Sequence, residues 1–348
     1  MRIRPSFSII LLALGTWMVA HAEQPKLIEK RKTLVKTYTV DMRDQLSIDN
    51  QYGQVKVNLW DRKEIRVDVA ITANAPTEQR AIDYLNAVTI DEKRDGGVIT
   101  LRTAIDRRQF GSSNWNAWRS KPGEKNSIQI DYIVNMPKYN SLVVRNKFGN
   151  TDIPWFQAPL TVHSRNGNFS ADDLESVKNS IEVLYGNAKI GKMGGGSMDV
   201  RYSGLNLDQV HTLTLVNKGG KLTIGEVGNL DADIDYSGAT IGRINESCKI
   251  KLNYSDNFQV NQLPRSAENV DIQAAYSSVV LPAESSQFDI TVTHGDFRLP
   301  TNVKVNFTSQ PNKAGPYQST RQYSGTVGSG TGSIIKVVSK FGDVRLKN

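Results

Sequence analysis

A single cysteine, Cys248, occurs among the 348 residues. The chain therefore cannot close an internal disulfide or build a cysteine-based zinc cluster. Histidine is almost as scarce: four residues, spread too widely for a His-rich metal site. Neither Gly-x-Ser-x-Gly nor His-Glu-x-x-His is present, so the two commonest hydrolase signatures are missing. No motif asks for a cofactor. The longest apolar run, Phe7 to Ala20, covers 14 residues, where a membrane-spanning helix needs about 20. These gaps point away from an enzyme, a metalloprotein and an integral helical membrane protein.

That apolar run has a different meaning. Arg2 and Arg4 precede it and Ala20-His21-Ala22 follows it. A basic start, an apolar centre and a small-x-small end make a secretory signal peptide, residues 1–22, cut after Ala22. No cysteine follows the run to carry a lipid anchor. Removing the peptide leaves 41 basic side chains against 35 acidic, a net +6. The excess is mild and spread along the chain, so it serves solubility first. Nucleic acid is not an expected partner, because an exported chain without a reader motif has no access to it. The expected location is exported: periplasmic, outer-membrane-associated or extracellular.

The strongest signal is a repeat. A small residue followed by inward-pattern residues at +2 and +4 occurs eleven times, at Gly53, Gly149, Gly167, Gly186, Ser203, Gly220, Ser237, Asp256, Ser277, Gly295 and Gly342. From Gly149 to Gly295 the intervals are 18, 19, 17, 17, 17, 19, 21 and 18 residues. A second alternating stretch precedes each bend, as in Leu142/Val144, Leu160/Val162, Leu213/Leu215 and Val270/Ile272. Each unit is thus two short strands of period 2, bent at a small residue. Such a unit cannot bury its apolar face alone, whereas a stack of them can. The expected fold is all-β: a β-solenoid of about 18-residue two-strand units with a small α+β cap at its N-terminal end. The period leaves open whether one unit is a full coil or half of one. An antiparallel sandwich is the rival arrangement, but sandwiches do not repeat one bend chemistry at fixed offset.

The cap is expected over residues 23–105. Ile65-x-Val67-x-Val69-x-Ile71 alternates as a long strand. Thr77 to Val88 carries Ala81, Ile82, Leu85 and Val88 at helical spacing, with Thr77 as N-cap. Residues 106–126 form a loop rich in Gly, Ser, Asn and charge. Residues 127–348 form the repeat region, interrupted by a second polar, Gly-rich loop from Thr308 to Gly332.

Three stretches carry a family resemblance: Asn50-Gln51-Tyr52-Gly53-Gln54-Val55-Lys56-Val57 with Trp60, Asn146-Lys147-Phe148-Gly149-Asn150 after Pro137, and Ser339-Lys340-Phe341-Gly342-Asp343-Val344. Together they resemble the bacterial adhesin-like β-strand-repeat family related to the auto-transporter adhesin head (GIN) domain. The resemblance spans roughly Tyr38 to Leu346. It implies a β-solenoid in the envelope of Bacteroidetes-like bacteria, and it brings no catalytic residues with it.

Two groups of residues stand out as candidate sites. The position before the bend is aromatic in seven of the eleven units: Tyr52, Phe148, Tyr185, Tyr202, Tyr236, Tyr276 and Phe341. Stacked units would align these rings in a column, expected as a structural ladder and interrupted by Asn166, Gly219, Ser255 and His294. Exposed, the same column would suit sugar rings. Asn50, Asn146, Asn217 and Asn253 precede the bends and are expected to satisfy corner backbone groups. The candidate binding residues are Trp115 and Trp118, flanked by Arg107, Arg108, Arg119 and Lys121 in the 106–126 loop. Trp and Arg dominate binding hot spots, and loops on rigid scaffolds commonly carry function.

Asp231, Asp233 and Asp235 line one strand face, but alternate strand residues stand too far apart for all three to share a calcium ion. The partner is not named by the sequence: an envelope or host glycan or protein fits. The expected function is a non-enzymatic, adhesin-like envelope protein presenting a rigid β surface. A polysaccharide-active β-helix enzyme and a structural or sensory envelope component are the alternatives.

Overall fold

Backbone crowding explains the small residue at each bend. In the computed structural model, which describes residues 27–106, 127–301, 303–311 and 319–347, a Cβ on Gly149 would stand 1.8 Å from the carbonyl oxygen of Gly53. One on Gly167 would stand 2.0 Å from that of Gly149, and one on Gly186 2.0 Å from that of Gly167. These bends lie directly against one another, and a side chain at Gly149, Gly167 or Gly186 would push them apart. Where serine replaces glycine, its hydroxyl is used. Ser203 Oγ donates to the Arg201 carbonyl at 2.7 Å and accepts from the Gly186 amide at 3.0 Å.

The fold is nearly all-β, with one short helix. Among the described residues the strands join into one 23-stranded hydrogen-bonded sheet. Successive units pair in parallel, both strands of one with the same strands of the next. Val144 lies opposite Val162, Val162 opposite Ile181, and Ile181 opposite Met198. Across the bend, Thr151 lies opposite Phe169, and Phe169 opposite Ala188. One unit is therefore one step of the stack, which the period alone left open. The +2 and +4 residues point inward as expected: Val55, Val57, Leu205, Leu207, Leu222 and Ile224 are all buried. They join one continuous apolar core running from Tyr38 to Leu346.

At the N-terminal end, the unit bent at Gly53 has neighbours on both sides. Strands Ser141–Lys147 and Thr151–Ile153 flank it on one side, Val98–Ile105 and Ser127–Pro137 on the other. Glu64–Ala75 then runs antiparallel between Ser127–Pro137 and Ile28–Thr39. The helix Glu78–Asn86 begins at Thr77, whose hydroxyl accepts from the Arg80 amide at 3.3 Å. It ends earlier than its apolar spacing suggested: Val88 opens the next strand, and Tyr84 rather than Ile82 is buried on its inner face.

Two expectations from the sequence are corrected further along. The eighth bend falls at Ser255, one residue before Asp256. Ser255 is buried and hydrogen-bonds the Ile234 and Asn253 carbonyls. The extra residue is absorbed at Asn257, which takes a left-handed φ of 63°. The stretch Thr308 to Gly332 is also more than loop, because Thr320–Val327 forms a strand antiparallel to Gln287–Thr293. It is paired on its other side with Val305–Ser309, and its alternation is weak because few of its side chains face the core.

The stacking order at the C-terminal end departs from the chain order. The last unit, Ile334–Lys340 and Val344–Lys347, sits between the Ser277 and Gly295 units. Val337 lies opposite Ile272 on one side and Ile290 on the other. Val344 likewise lies opposite Val279 and Phe297. Burial rationalises the order. Val344 and Leu346 fill the interior completely, whereas Phe297 and Leu299 of the outermost unit are only half-buried. The more apolar unit takes the inner place.

Candidate functional site

The residue before each bend adopts a left-handed backbone, with φ between 49° and 65° at Tyr52, Phe148, Asn166, Tyr185, Tyr202, Tyr236, Tyr254, Tyr276, His294 and Phe341. Gly219 takes the corresponding place with φ 69°. For a residue with a Cβ this region costs on the order of 1–2 kcal/mol. Two compensations are visible. The strained amide is paired to the neighbouring unit, as in Tyr52 to Lys147 O at 2.8 Å, Phe148 to Arg165 O at 2.9 Å and Tyr276 to Lys340 O at 2.8 Å. The left-handed turn also throws each side chain outward, so rings on adjacent units meet face to face.

The rings form a ladder in three segments. Tyr52 stacks on Phe148 at 5.2 Å, and Tyr185 on Tyr202 at 5.3 Å. Tyr236, Tyr254, Tyr276 and Phe341 make a run with centroid spacings of 5.1, 4.8 and 4.8 Å, all within 7° of parallel. His294 continues it, 5.0 Å from Phe341. Stacked pairs contribute about 0.5–1.5 kcal/mol each beyond area burial, which offsets part of the backbone strain. The seven rings singled out from sequence are all in the ladder. Tyr254 and His294 are the members that the spacing misses. Tyr254 escapes it because the bend is expected at Asp256, although the Tyr-Ser pair of Tyr202-Ser203, Tyr236-Ser237 and Tyr276-Ser277 recurs at Tyr254-Ser255. His294 reads as an interruption because its true neighbour, Phe341, is out of chain order.

The ladder is stacked yet still open to solvent along its edge. Phe148, Tyr185, Tyr254, Tyr276 and Phe341 retain 46% to 51% of their surface, and Tyr202 and Tyr236 retain 64% and 67%. On the far side of the bends a polar ladder runs beside it. Asn150 Oδ1 accepts from the Asn168 amide, and Asn168 Oδ1 from the Asn187 amide, both at 3.0 Å. Arg145, Lys147 and Arg165 lie on the aromatic side of the bends.

Beneath the first bends, buried amides support the corner. Asn146 Nδ2 donates to the Gly53 and Gly149 carbonyls at 3.1 Å each. Asn50 donates to the Ile130 carbonyl at 3.0 Å and accepts from Thr103, whose hydroxyl also meets the Tyr132 hydroxyl at 2.8 Å. Burial pushes the Tyr132 phenol up to about 12. Asn217 is buried in the equivalent inward position, but Asn253 is exposed and donates instead to Asp235 at 2.9 Å. That difference follows from the shifted bend.

A second feature is a groove of about 710 Å³ on another edge, lined by residues including Asp172, Asp173, Lys192, Glu226 and Arg243. Four carboxylates, Asp172, Asp173, Asp208 and Glu226, share it with two cations, Lys192 and Arg243. Asp231, Asp233 and Asp235 do not converge: Asp233 faces Lys251 at 3.8 Å and Asp235 faces Lys218 at 3.5 Å. His163 and His211 pair separately with Glu182 and Glu246. Among the described residues, no group of three His, Cys, Asp or Glu is placed to hold a metal ion. Cys248 faces the core, and burial pushes its thiol up to about 12. Trp115, Trp118, Arg107, Arg108, Arg119 and Lys121 lie outside the described residues, as does the 1–22 segment. Among those described, no helix is long and apolar enough to cross a membrane.

No family model and no curated protein matches the chain. Several solved structures do match. A "putative cell adhesion protein" from Clostridium sporogenes is 11% identical, with 91% of this chain and 99% of that one covered, at a TM-score of 0.21. A "putative adhesin" from Bacteroides fragilis is 11% identical, with 91% and 97% covered, at 0.33. A "putative lipid binding protein" from Parabacteroides distasonis is 9% identical over the same shares, at 0.34.

Proposed function

We propose that this chain is a non-enzymatic, exported, adhesin-like protein of the bacterial cell envelope, a β-solenoid that presents a rigid binding edge. The observation that carries the proposal is the ladder of stacked rings, held at strained left-handed positions and left about half exposed. Stacking accounts for the ring faces turned toward neighbouring units, but not for the roughly half of each ring surface left open to solvent. Contiguous exposed aromatic surface on a soluble chain marks a place of interaction, and a backbone fixed by neighbours on both sides loses little entropy on binding. Related GIN-type domains supply the family context on sequence resemblance. Under the same proposal, the loop bearing Trp115 and Trp118 is a second contact region, with Arg107, Arg108 and Arg119 as its charged rim.

The test is a glycan and matrix-protein array probed with the purified secreted chain, whose N-terminus mass spectrometry should place after Ala22. The double variant Trp115→Ala/Trp118→Ala should weaken binding roughly 30-fold, as loss of a hot spot does, without lowering the melting temperature. A large fall in melting temperature would make those tryptophans structural and remove the loop from the proposal.

A further inference from the structure

The ring ladder has one open gap. Between Tyr202 and Tyr236 the ladder position is Gly219, with the same left-handed backbone but no side chain. The other break, Asn166, carries an amide that occupies its space. Exposure separates the two cases. Phe148 and Tyr185, beside Asn166, are each 51% exposed, whereas Tyr202 and Tyr236, beside Gly219, are 64% and 67% exposed. Each of these two tyrosines stacks on one side, Tyr202 on Tyr185 and Tyr236 on Tyr254. Their faces toward Gly219 have no ring partner among the described residues. The Tyr202 ring borders the gap directly, since a Cβ on Gly219 would lie 3.3 Å from its Cδ1.

Spacing gives the size of what fits. Two inter-strand steps of about 4.8 Å separate Tyr202 from Tyr236. A ring inserted midway would lie about 5 Å from each, inside the range of about 4.5–7 Å that stacked rings prefer. One flat or puckered six-membered ring therefore completes the ladder.

The rim indicates which ring. It is polar and charged, with Arg201, Lys218 and Lys221 beside Asp199, Asp233 and Asp235. Arg201 is engaged by Asp199 and Lys218 by Asp235. Lys221, two residues beyond Gly219, is exposed and pairs with no carboxylate among the described residues. An aromatic side chain of a protein partner would want an apolar surround that excludes water. A sugar ring instead offers C–H groups to the negative faces of the tyrosines and hydroxyls to a polar rim. We propose that the Gly219 gap is a glycan subsite that takes one pyranose ring between Tyr202 and Tyr236, with the carboxylate of an acidic sugar directed to Lys221. This rests on the reading of the ladder as a binding edge and makes it specific.

Gly219→Tyr is the discriminating variant, because tyrosine already tolerates this backbone at Tyr202 and Tyr236. It should fill the gap and close the subsite in a chain that stays folded, the Tyr202 ring giving way by a few tenths of an ångström to the new Cβ. Binding of hexagalacturonate and a hyaluronan hexasaccharide would be measured by titration calorimetry, with cellohexaose and a tryptophan-containing peptide as comparisons. The secreted wild-type chain should bind at least one acidic oligosaccharide, more tightly than cellohexaose. Gly219→Tyr should weaken that binding at least 10-fold, and Lys221→Gln should remove the preference for acid. Absence of binding to both acidic probes, or equal binding by Gly219→Tyr, overturns the subsite. So does a peptide that binds the gap in their place. If the array detects a ligand that Gly219→Tyr does not affect, the subsite falls while the binding edge stands. If the array detects nothing, both fall.

Discussion

The imidazole of His294 lies 5.0 Å from the ring of Phe341 and within 9° of parallel to it. Phe341 belongs to the last unit of the chain and His294 to the one before, yet on its other face Phe341 stacks on Tyr276. The contact records a C-terminal unit that has entered the stack between its two predecessors. Ser277, Gly342 and Gly295 meet there in that order. A Cβ on Gly342 would be 2.0 Å from the Ser277 carbonyl oxygen, and one on Gly295 2.2 Å from that of Gly342.

This order makes the C-terminus an internal element of the stack. Deleting residues 334–348 removes a strand paired on both sides and leaves two parallel edges unpaired, Asn269–Ala275 and Gln287–Thr293. Unpaired apolar edges template aggregation. The truncated chain should be insoluble or oligomeric by size-exclusion chromatography. A monomer with native circular dichroism would contradict the order.

Leu205 and Leu222 occupy equivalent inward positions in adjacent units and are both buried. Leu205→Asp or Leu222→Asp buries an unpaired carboxylate at a cost of several kcal/mol. Circular dichroism should show loss of the β signal or a large drop in melting temperature. Unchanged melting would place those side chains outside the core.

Tyr254 separates the stabilising from the straining part of the ladder. Its ring stacks on two partners, at 5.1 and 4.8 Å, over a φ of 49°. Tyr254→Ala loses both stacks and keeps the strain, for a loss of roughly 1–3 kcal/mol. Tyr254→Gly loses the stacks and relieves the strain. Denaturant melts should rank Tyr above Gly above Ala. Alanine as stable as tyrosine would mean that the rings do not support the fold.

Tyr132 and Cys248 predict an alkaline limit. Burial raises both groups to about 12, from ordinary values of about 10 and 8.5. The unfolded chain therefore loses these protons first as pH rises. Their contribution to stability is complete below about pH 8.5 and is lost progressively up to about pH 12. Stability curves should stay flat across neutrality and fall in that window. Tyr132→Phe and Cys248→Ala should shallow the fall, and an unaltered slope would assign it to other groups.

The legible part of the fold is the part that burial enforces. Leu205/Leu207 and Leu222/Ile224 must alternate because a slip of one residue would turn them to solvent. Bends such as Gly149 must be small because backbone meets backbone. Thr77 declares the helix start through its cap. The order of units is not legible in the same way, since Ile335 and Val337 carry an inward pattern that would fit beside any other unit. The ladder is visible as Tyr-Gly, Phe-Gly and Tyr-Ser pairs. Its openness is not, because alternation tells inside from outside but gives no measure of what covers the outside. The Gly219 gap becomes meaningful only with the exposed faces of Tyr202 and Tyr236 on either side.

The exposed ring edge is the feature on which the binding function rests. The most direct measurement compares array binding of the secreted wild-type chain with that of Tyr185→Ser/Tyr202→Ser/Tyr236→Ser, after circular dichroism has shown the variant folded. The wild-type chain should capture a ligand, and the folded variant should lose it by at least 10-fold. Equal capture by both, or no capture by the wild-type chain, would contradict that function.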